Sequence, residues 1–184
     1  DGMGGHKGGE TASRVAVQVV KNALSRKKPE EDALRMGLEA ANRRVYGMAG
    51  SDENLTGMGT TMTFLYFMDK HALLAHVGDS RCYRIRDGRI MQLTKDHSLV
   101  AELVRIGEIT PEQARNHPYR NIITRALGTD DYVAVDAQDI PVEENDVYLL
   151  CSDGLSNYLE EDELLHAVQN QPSDALCDHL VQIA

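Results

Sequence analysis

Along the first part of the chain, apolar residues recur at steps of three and four: Ala12, Val15, Ala16, Val19, Val20, Ala23 and Leu24 share one face. That spacing predicts an amphipathic helix of about five turns, stopping near Lys27-Lys28 and Pro29. Leu34, Leu38, Ala41, Val45 and Met48 make a second helical stripe, with Pro29 close to its first turn. From Gly59 the period changes. "TTMTFLYFM" is apolar on both faces and rich in β-branched and aromatic residues, which predicts a central strand covered on both sides; "ALLAHV" reads the same way. "RCYRIR" and "RIMQLT" flank Asp87-Gly88, a dipeptide that tolerates the positive φ of a tight turn, so they form a hairpin. Strands in succession with short links predict antiparallel pairing.

Residues 98–128 break this order. "LVAELVRIGEI" and "TPEQARNH" read as short helices and "PYRNIITRALG" as irregular chain, together an inserted lid. Strand character returns in "YVAVDAQDI" and "DVYLLC". The tail, "EEDELLHAVQN" and then "PSDALCDHLVQIA", is helical, with Pro172 or Ser173 starting the last helix. There is no internal repeat. The sum is an α+β domain with helices on the faces of antiparallel sheets.

Composition narrows the partners. The 184 residues suit one domain, and 19 Lys+Arg against 29 Asp+Glu leave a net charge of −10. That balance argues against nucleic acid or an anionic membrane surface as the main partner. No apolar stretch approaches the roughly 18 residues of a membrane span, so no membrane association is expected within the segment. Cys82, Cys151 and Cys177 have no CxxC spacing and cannot all pair, which points to a reduced, cytoplasmic compartment and to small buried hydrophobes.

The chemistry gathers where aspartates meet glycines. Asp1-Gly2 opens "DGMGGHKGGE", Gly78-Asp79 follows "ALLAHV", and Asp153-Gly154 follows "DVYLLC". A strand that delivers a carboxylate at its tip, with a glycine beside it, brings side-chain and backbone oxygens to one point. Such ligands suit magnesium or manganese, and no Cys/His cluster suggests zinc. An Asp-Gly pair is also an ordinary turn, as at Asp87-Gly88, so the pattern alone leaves both readings open. Dinucleotide fingerprints, phosphate loops and nucleophile elbows are missing: a glycine fingerprint starting at Gly2 fails at Lys7.

In this order, "DGMGGH", "GMGTTMT", "HVGDSRCYRIRDGRIMQLTKDHSLV", "ITPEQARNHPYRNIITRALG" and "LLCSDGL" resemble the successive motifs of the metal-dependent serine/threonine protein phosphatases, type 2C, in their bacterial form. The resemblance runs from Asp1 to about Leu155 and implies a four-layer α-β-β-α sandwich with two central antiparallel sheets. It implies that Asp1 bridges two metal ions, Mg2+ or Mn2+, that Gly2 offers its carbonyl to one, and that Asp153 binds the other. Asp79 matches the aspartate that helps hold a third, weaker ion. Two cations about 3.5–4 Å apart activate a shared water for in-line attack on phosphorus. His6 resembles the histidine that protonates the leaving alkoxide, a role its ordinary pKa suits; without the resemblance it reads as a surface or capping histidine. Residues 98–128 correspond to the flap beside the active site, while His97, His76, Thr60 and Thr61 read as structural.

The family pattern also carries a strand with a phosphate-holding arginine before the first loop, and an Asp-Asn pair after the last helix. Neither is in this sequence, so the chain is expected to be the core of a longer phosphatase, truncated at both ends and weakly active or inactive alone, with its phosphate-binding residue unassigned. The expected function is hydrolysis of phosphoserine and phosphothreonine in substrates of a bacterial serine/threonine kinase, by a monomer. Two rivals are a non-catalytic scaffold that binds phosphoproteins and a phosphomonoesterase for small molecules.

Overall fold

The computed structural model describes residues 1–25 and 30–184, except for the side chain of His6. The expected helix end at Lys27-Lys28 and Pro29, and the place of Pro29 before the second helix, lie outside the described residues. A short strand β1 (Gly2–Met3) leads into α1 (Gly5–Leu24), and α2 (Glu31–Ser51) follows. Then come β2 (Gly59–Thr60), β3 (Met62–Phe67), β4 (His71–Val77), β5 (Arg81–Arg86) and β6 (Arg89–Gln92). Helices α3 (Leu99–Arg105) and α4 (Pro111–Arg115) precede β7 (Asp136–Pro141) and β8 (Val147–Cys151). The chain closes with α5 (Asp153–Ser156), α6 (Glu161–Asn170) and α7 (Leu176–Ile183).

Among the described residues the strands make two three-stranded antiparallel sheets, ordered β3-β4-β7 and β6-β5-β8, besides the small β1-β2 ladder. Strand alternation explains the layers. In β4, Leu73, Ala75 and Val77 face the cluster built by Ala12, Ala16, Leu34 and Leu38 of α1 and α2. Their neighbours Ala72 and Leu74 point the other way and meet Cys82 and Ile140 between the sheets. In β5, Tyr83 and Ile85 pack instead on Leu164, Ala167 and Leu180 of α6 and α7. The result is the expected α-β-β-α sandwich.

Several expectations shift. Among the described residues the strand "TTMTFLYFM" is paired on one side only: β3 pairs with β4, and Phe67 at its end is 52% exposed, edge-on to Tyr148. Fully covered strands are β4 and β5, each flanked on both sides. Helix α1 begins at Gly5, inside the glycine loop, rather than after it. The last helix starts at Leu176, after Ala175, not at Pro172 or Ser173. Cys82 is buried, but Cys151 is only half-buried and Cys177 is exposed, so the cysteines are not uniformly core residues.

The hairpin turn is as expected, with positive φ at both Asp87 (50°) and Gly88 (71°). Thr110 caps α4 through a capping box with Gln113. Asn42, buried in α2, accepts from the Gly128 N–H at 2.7 Å and donates to the carbonyls of Asp130 and Asp131 at 3.0 and 3.3 Å. It thereby anchors the chain where residues 98–128 rejoin the sandwich. No helix among the described residues is long and apolar enough to cross a membrane.

Candidate active site

The opening loop owes its shape to backbone contact. A Cβ on Gly2 would lie 2.1 Å from the Gly9 carbonyl oxygen, and one on Gly9 would lie 2.6 Å from that of Gly2. Gly4 has φ +98° with Met58 pressed against it. Only glycines allow β1 to fold back on the first turns of α1 this closely. Asp1 is then tied down by its main chain: its carbonyl accepts from Thr61 N–H at 2.8 Å and from the Thr60 hydroxyl at 2.7 Å. The Thr61 hydroxyl in turn meets Ser80 Oγ at 2.8 Å, linking the Asp1 loop to the turn that carries Asp79.

Asp79 follows β4 and is buried, and its Oδ1 has no hydrogen-bond partner. Burial, and next the charge of Asp153, push its pKa up to about 6. Asp153 is half-buried in the first turn of α5, directly after β8. Asp79 and Asp153 line an open cleft of about 1070 Å³, whose other wall includes Ala101, Glu102 and Arg105 of α3 and Arg115 of α4. Asp1 lines a neighbouring hollow of about 290 Å³ with Thr61, Ser80 and Ser152. Ser80 and Ser152, which line the hollow, adjoin Asp79 and Asp153 of the cleft in sequence.

Around Asp79 runs a second network that the sequence does not reveal. Arg81 Nε and Nη2 donate to the Asp96 carboxylate, at 2.7 Å in the shortest contact. His97 bonds to Gly78 through both its main chain and its ring. His76 donates from Nε2 to Lys95 O at 3.1 Å, accepts from the Thr63 hydroxyl, and stacks on His97 with ring centroids 4.8 Å apart. Burial, then the neighbouring His97, depress the His76 pKa to about 4, so the ring is neutral. A hairpin separates these partners in the chain, and no periodicity links position 81 to 96.

A family model described as Protein phosphatase 2C matches residues 1–180. The chain belongs to that family. It is 41% identical over 179 residues to the serine/threonine phosphatase stp of Listeria welshimeri, covering 94% of this chain and 71% of that one. Protein phosphatase PhpP of Streptococcus pneumoniae is 40% identical over 169 residues, covering 89% and 68%. Among solved structures, the Mycobacterium tuberculosis serine/threonine phosphatase PstP/Ppp superposes with a TM-score of 0.92 at 36% identity, covering all of this chain and 78% of that one. The catalytic domain of PstP in complex with two manganese ions superposes at 0.89 and 34% identity, covering 100% and 77%.

The protein phosphatase 2C fold thus brings Asp79 and Asp153 to one cleft and Asp1 to a separate hollow with Ser80 and Ser152, while the His6 side chain lies outside the described residues. Among the described residues no three His, Cys, Asp or Glu side chains gather tightly enough to hold an ion by themselves. The fit to a hard cation rests instead on the buried, unpartnered Asp79 Oδ1 beside a second carboxylate. Arg81, the nearest cation in sequence, is already engaged by Asp96. Magnesium keeps several waters, so a sparse set of protein oxygens is compatible with it.

Proposed function

We propose that this chain is the catalytic core of a metal-dependent phosphatase that hydrolyses phosphoserine and phosphothreonine in proteins, acting in the cytoplasm as a monomer on substrates of a serine/threonine kinase. The observation that carries the reading is the uncompensated pair Asp79 and Asp153 on an open cleft, in a chain of this family. Mg2+ or Mn2+, bound as a pair, supplies a water acidified to near neutrality for in-line attack on phosphorus.

The residues of the chain do the rest. Asp1, the Gly2 carbonyl and Asp153 would hold the pair, and Asp79 would hold a third, weaker ion. Thr60 and Thr61 fix the backbone of Asp1, so that its exposed carboxylate is presented from a rigid loop. His6 gives a proton to the departing serine or threonine oxygen. Residues 98–128 act as a flap over the cleft, and Glu102, Arg105 and Arg115 offer charges of both signs to the polypeptide around the phosphorylated side chain.

Release of phosphate from a phosphothreonine peptide tests this directly. The intact protein is expected to require Mn2+ and to lose activity on Asp153→Asn. Equal rates on sugar phosphates would sink the claim for protein substrates, and a folded, Mn2+-loaded protein that releases no phosphate would sink the enzyme.

A further inference from the structure

We propose that His97 is a positioning residue for Asp79, clamping the Gly78 peptide on both sides so that the carboxylate enters the cleft in one orientation; this rests on the metal-dependent reading above. The Gly78 N–H donates to His97 Nδ1 at 3.0 Å, and the His97 N–H donates to the Gly78 carbonyl at 2.8 Å. Gly78 needs such a clamp. Its φ is +114°, and a Cβ there would lie 2.5 Å from Thr61 Cγ2, so the position requires the residue with the most backbone freedom. Asp79 Oδ1 has no partner of its own, so its direction is inherited from the main chain that precedes it.

The clamp works in one tautomer only. Accepting from Gly78 leaves Nδ1 without a proton, so Nε2 carries it and donates to Asp136 Oδ2 at 3.2 Å. Arg125 Nη1 lies 2.9 Å from the same Nε2, but two donors cannot bond, and it serves Asp136 Oδ1 at 2.9 Å and Ala134 O at 3.2 Å. Arg125 and His97 therefore divide the Asp136 carboxylate between them. On the other side of Asp79, Arg81 grips Asp96, the residue before His97. The stretch from Lys95 to His97 so brackets the Asp79 turn from both directions, through His76, Gly78 and Arg81.

Three variants of the intact protein test the role, each first checked for folding by circular dichroism. In Asp136→Asn the amide oxygen stays with Arg125, which turns the amide NH2 toward Nε2 and moves the ring proton to Nδ1, against the Gly78 N–H. His97→Gln removes the acceptor at Nδ1, whereas the Oδ1 of His97→Asn keeps one nearby. The readouts are the 15N shifts of the His97 ring, exchange of the Gly78 amide, and Mn2+ affinity by electron paramagnetic resonance without substrate. Expected are faster Gly78 exchange and binding of the weakest Mn2+ reduced about tenfold or more in Asp136→Asn and His97→Gln, with His97→Asn close to wild type. Folded variants that all bind Mn2+ like the wild type, or that all lose it equally, would overturn the positioning role. Wild-type protein that binds no Mn2+ would overturn the proposed function and this role with it. Should His97→Gln not fold, Asp136→Asn alone decides.

Discussion

Gly2 and Gly9 meet backbone to backbone, so that neither position has room for a Cβ. This sets a sign test. In an exposed helix interior Gly→Ala gains about 0.5–1 kcal/mol, and Gly47→Ala, exposed in α2 with nothing near its Cβ, should show that gain. Gly9→Ala is also helical but should lower the melting temperature, because the obstacle is main chain that cannot rotate away. Thermal melts of the two variants side by side check both directions.

Asp79 gives a trade of stability against ligand binding. Its folded pKa of about 6 lies above the ordinary 3.8, so the folded state holds the proton more tightly and loses stability as pH rises from about 4 to 6. Without divalent cations, Asp79→Asn should therefore be the more stable protein at pH 7, by on the order of 2 kcal/mol. With Mn2+ added, the wild type should gain more than the variant. Urea melts with and without the metal measure both effects.

His76 predicts the opposite slope. Its folded pKa of about 4 lies below the ordinary 6.5, so the unfolded chain binds the extra proton and stability rises with pH across that window. The contribution lost on acidification is on the order of 3 kcal/mol. The His97 pKa is lowered too, by burial and by the Arg125 charge, and adds in the same direction. In His76→Gln, the rise in urea midpoint between pH 4 and 6.5 should shrink.

Asn42 satisfies three main-chain groups from a fully buried position. Asn42→Ala leaves the Gly128 N–H and the carbonyls of Asp130 and Asp131 without these bonds and should cost about 2–4 kcal/mol. Proteolysis should then begin first near residues 120–131, where that anchor acted.

The exposed ion pair of Arg115 with Glu160 marks the contrast. Both side chains are more than half-solvated or close to it, and Arg115→Ala should change stability by less than about 1 kcal/mol. A shift larger than that in the urea midpoint would show the pair to be coupled to more than its own charges.

The sequence carried the layers because β4 is apolar on both faces and the hairpin turn after β5 has its own dipeptide. Asp79 and Asp153 were visible for a related reason: each ends an apolar run. The start of α1 was not visible, since Gly5, Gly8 and Gly9 are poor helix formers; Gly8 and Gly9 lie against Met58 and β1. β3 packs Phe64 and Tyr66 on the helix cluster and Leu65 between the sheets, as its composition predicts, but among the described residues it is paired on one side only. Val133 and Val135 read as strand but pack on the helix cluster without a ladder, so β7 begins only at Asp136. The surroundings of His97 were the least legible, because its partners Gly78 and Asp136 lie 19 and 39 positions away.

The uneven burial of the cysteines makes the protein addressable at one point. Burial pushes the Cys82 thiol up to about 12 and the Cys151 thiol up to about 11, which withholds the reactive thiolate at neutral pH. Cys177 alone stands exposed, on α7 at the back of the sandwich. A maleimide dye would therefore attach at a single site, on the helix layer that packs against β5 and β8, and no cysteine need be engineered away to watch the molecule by fluorescence.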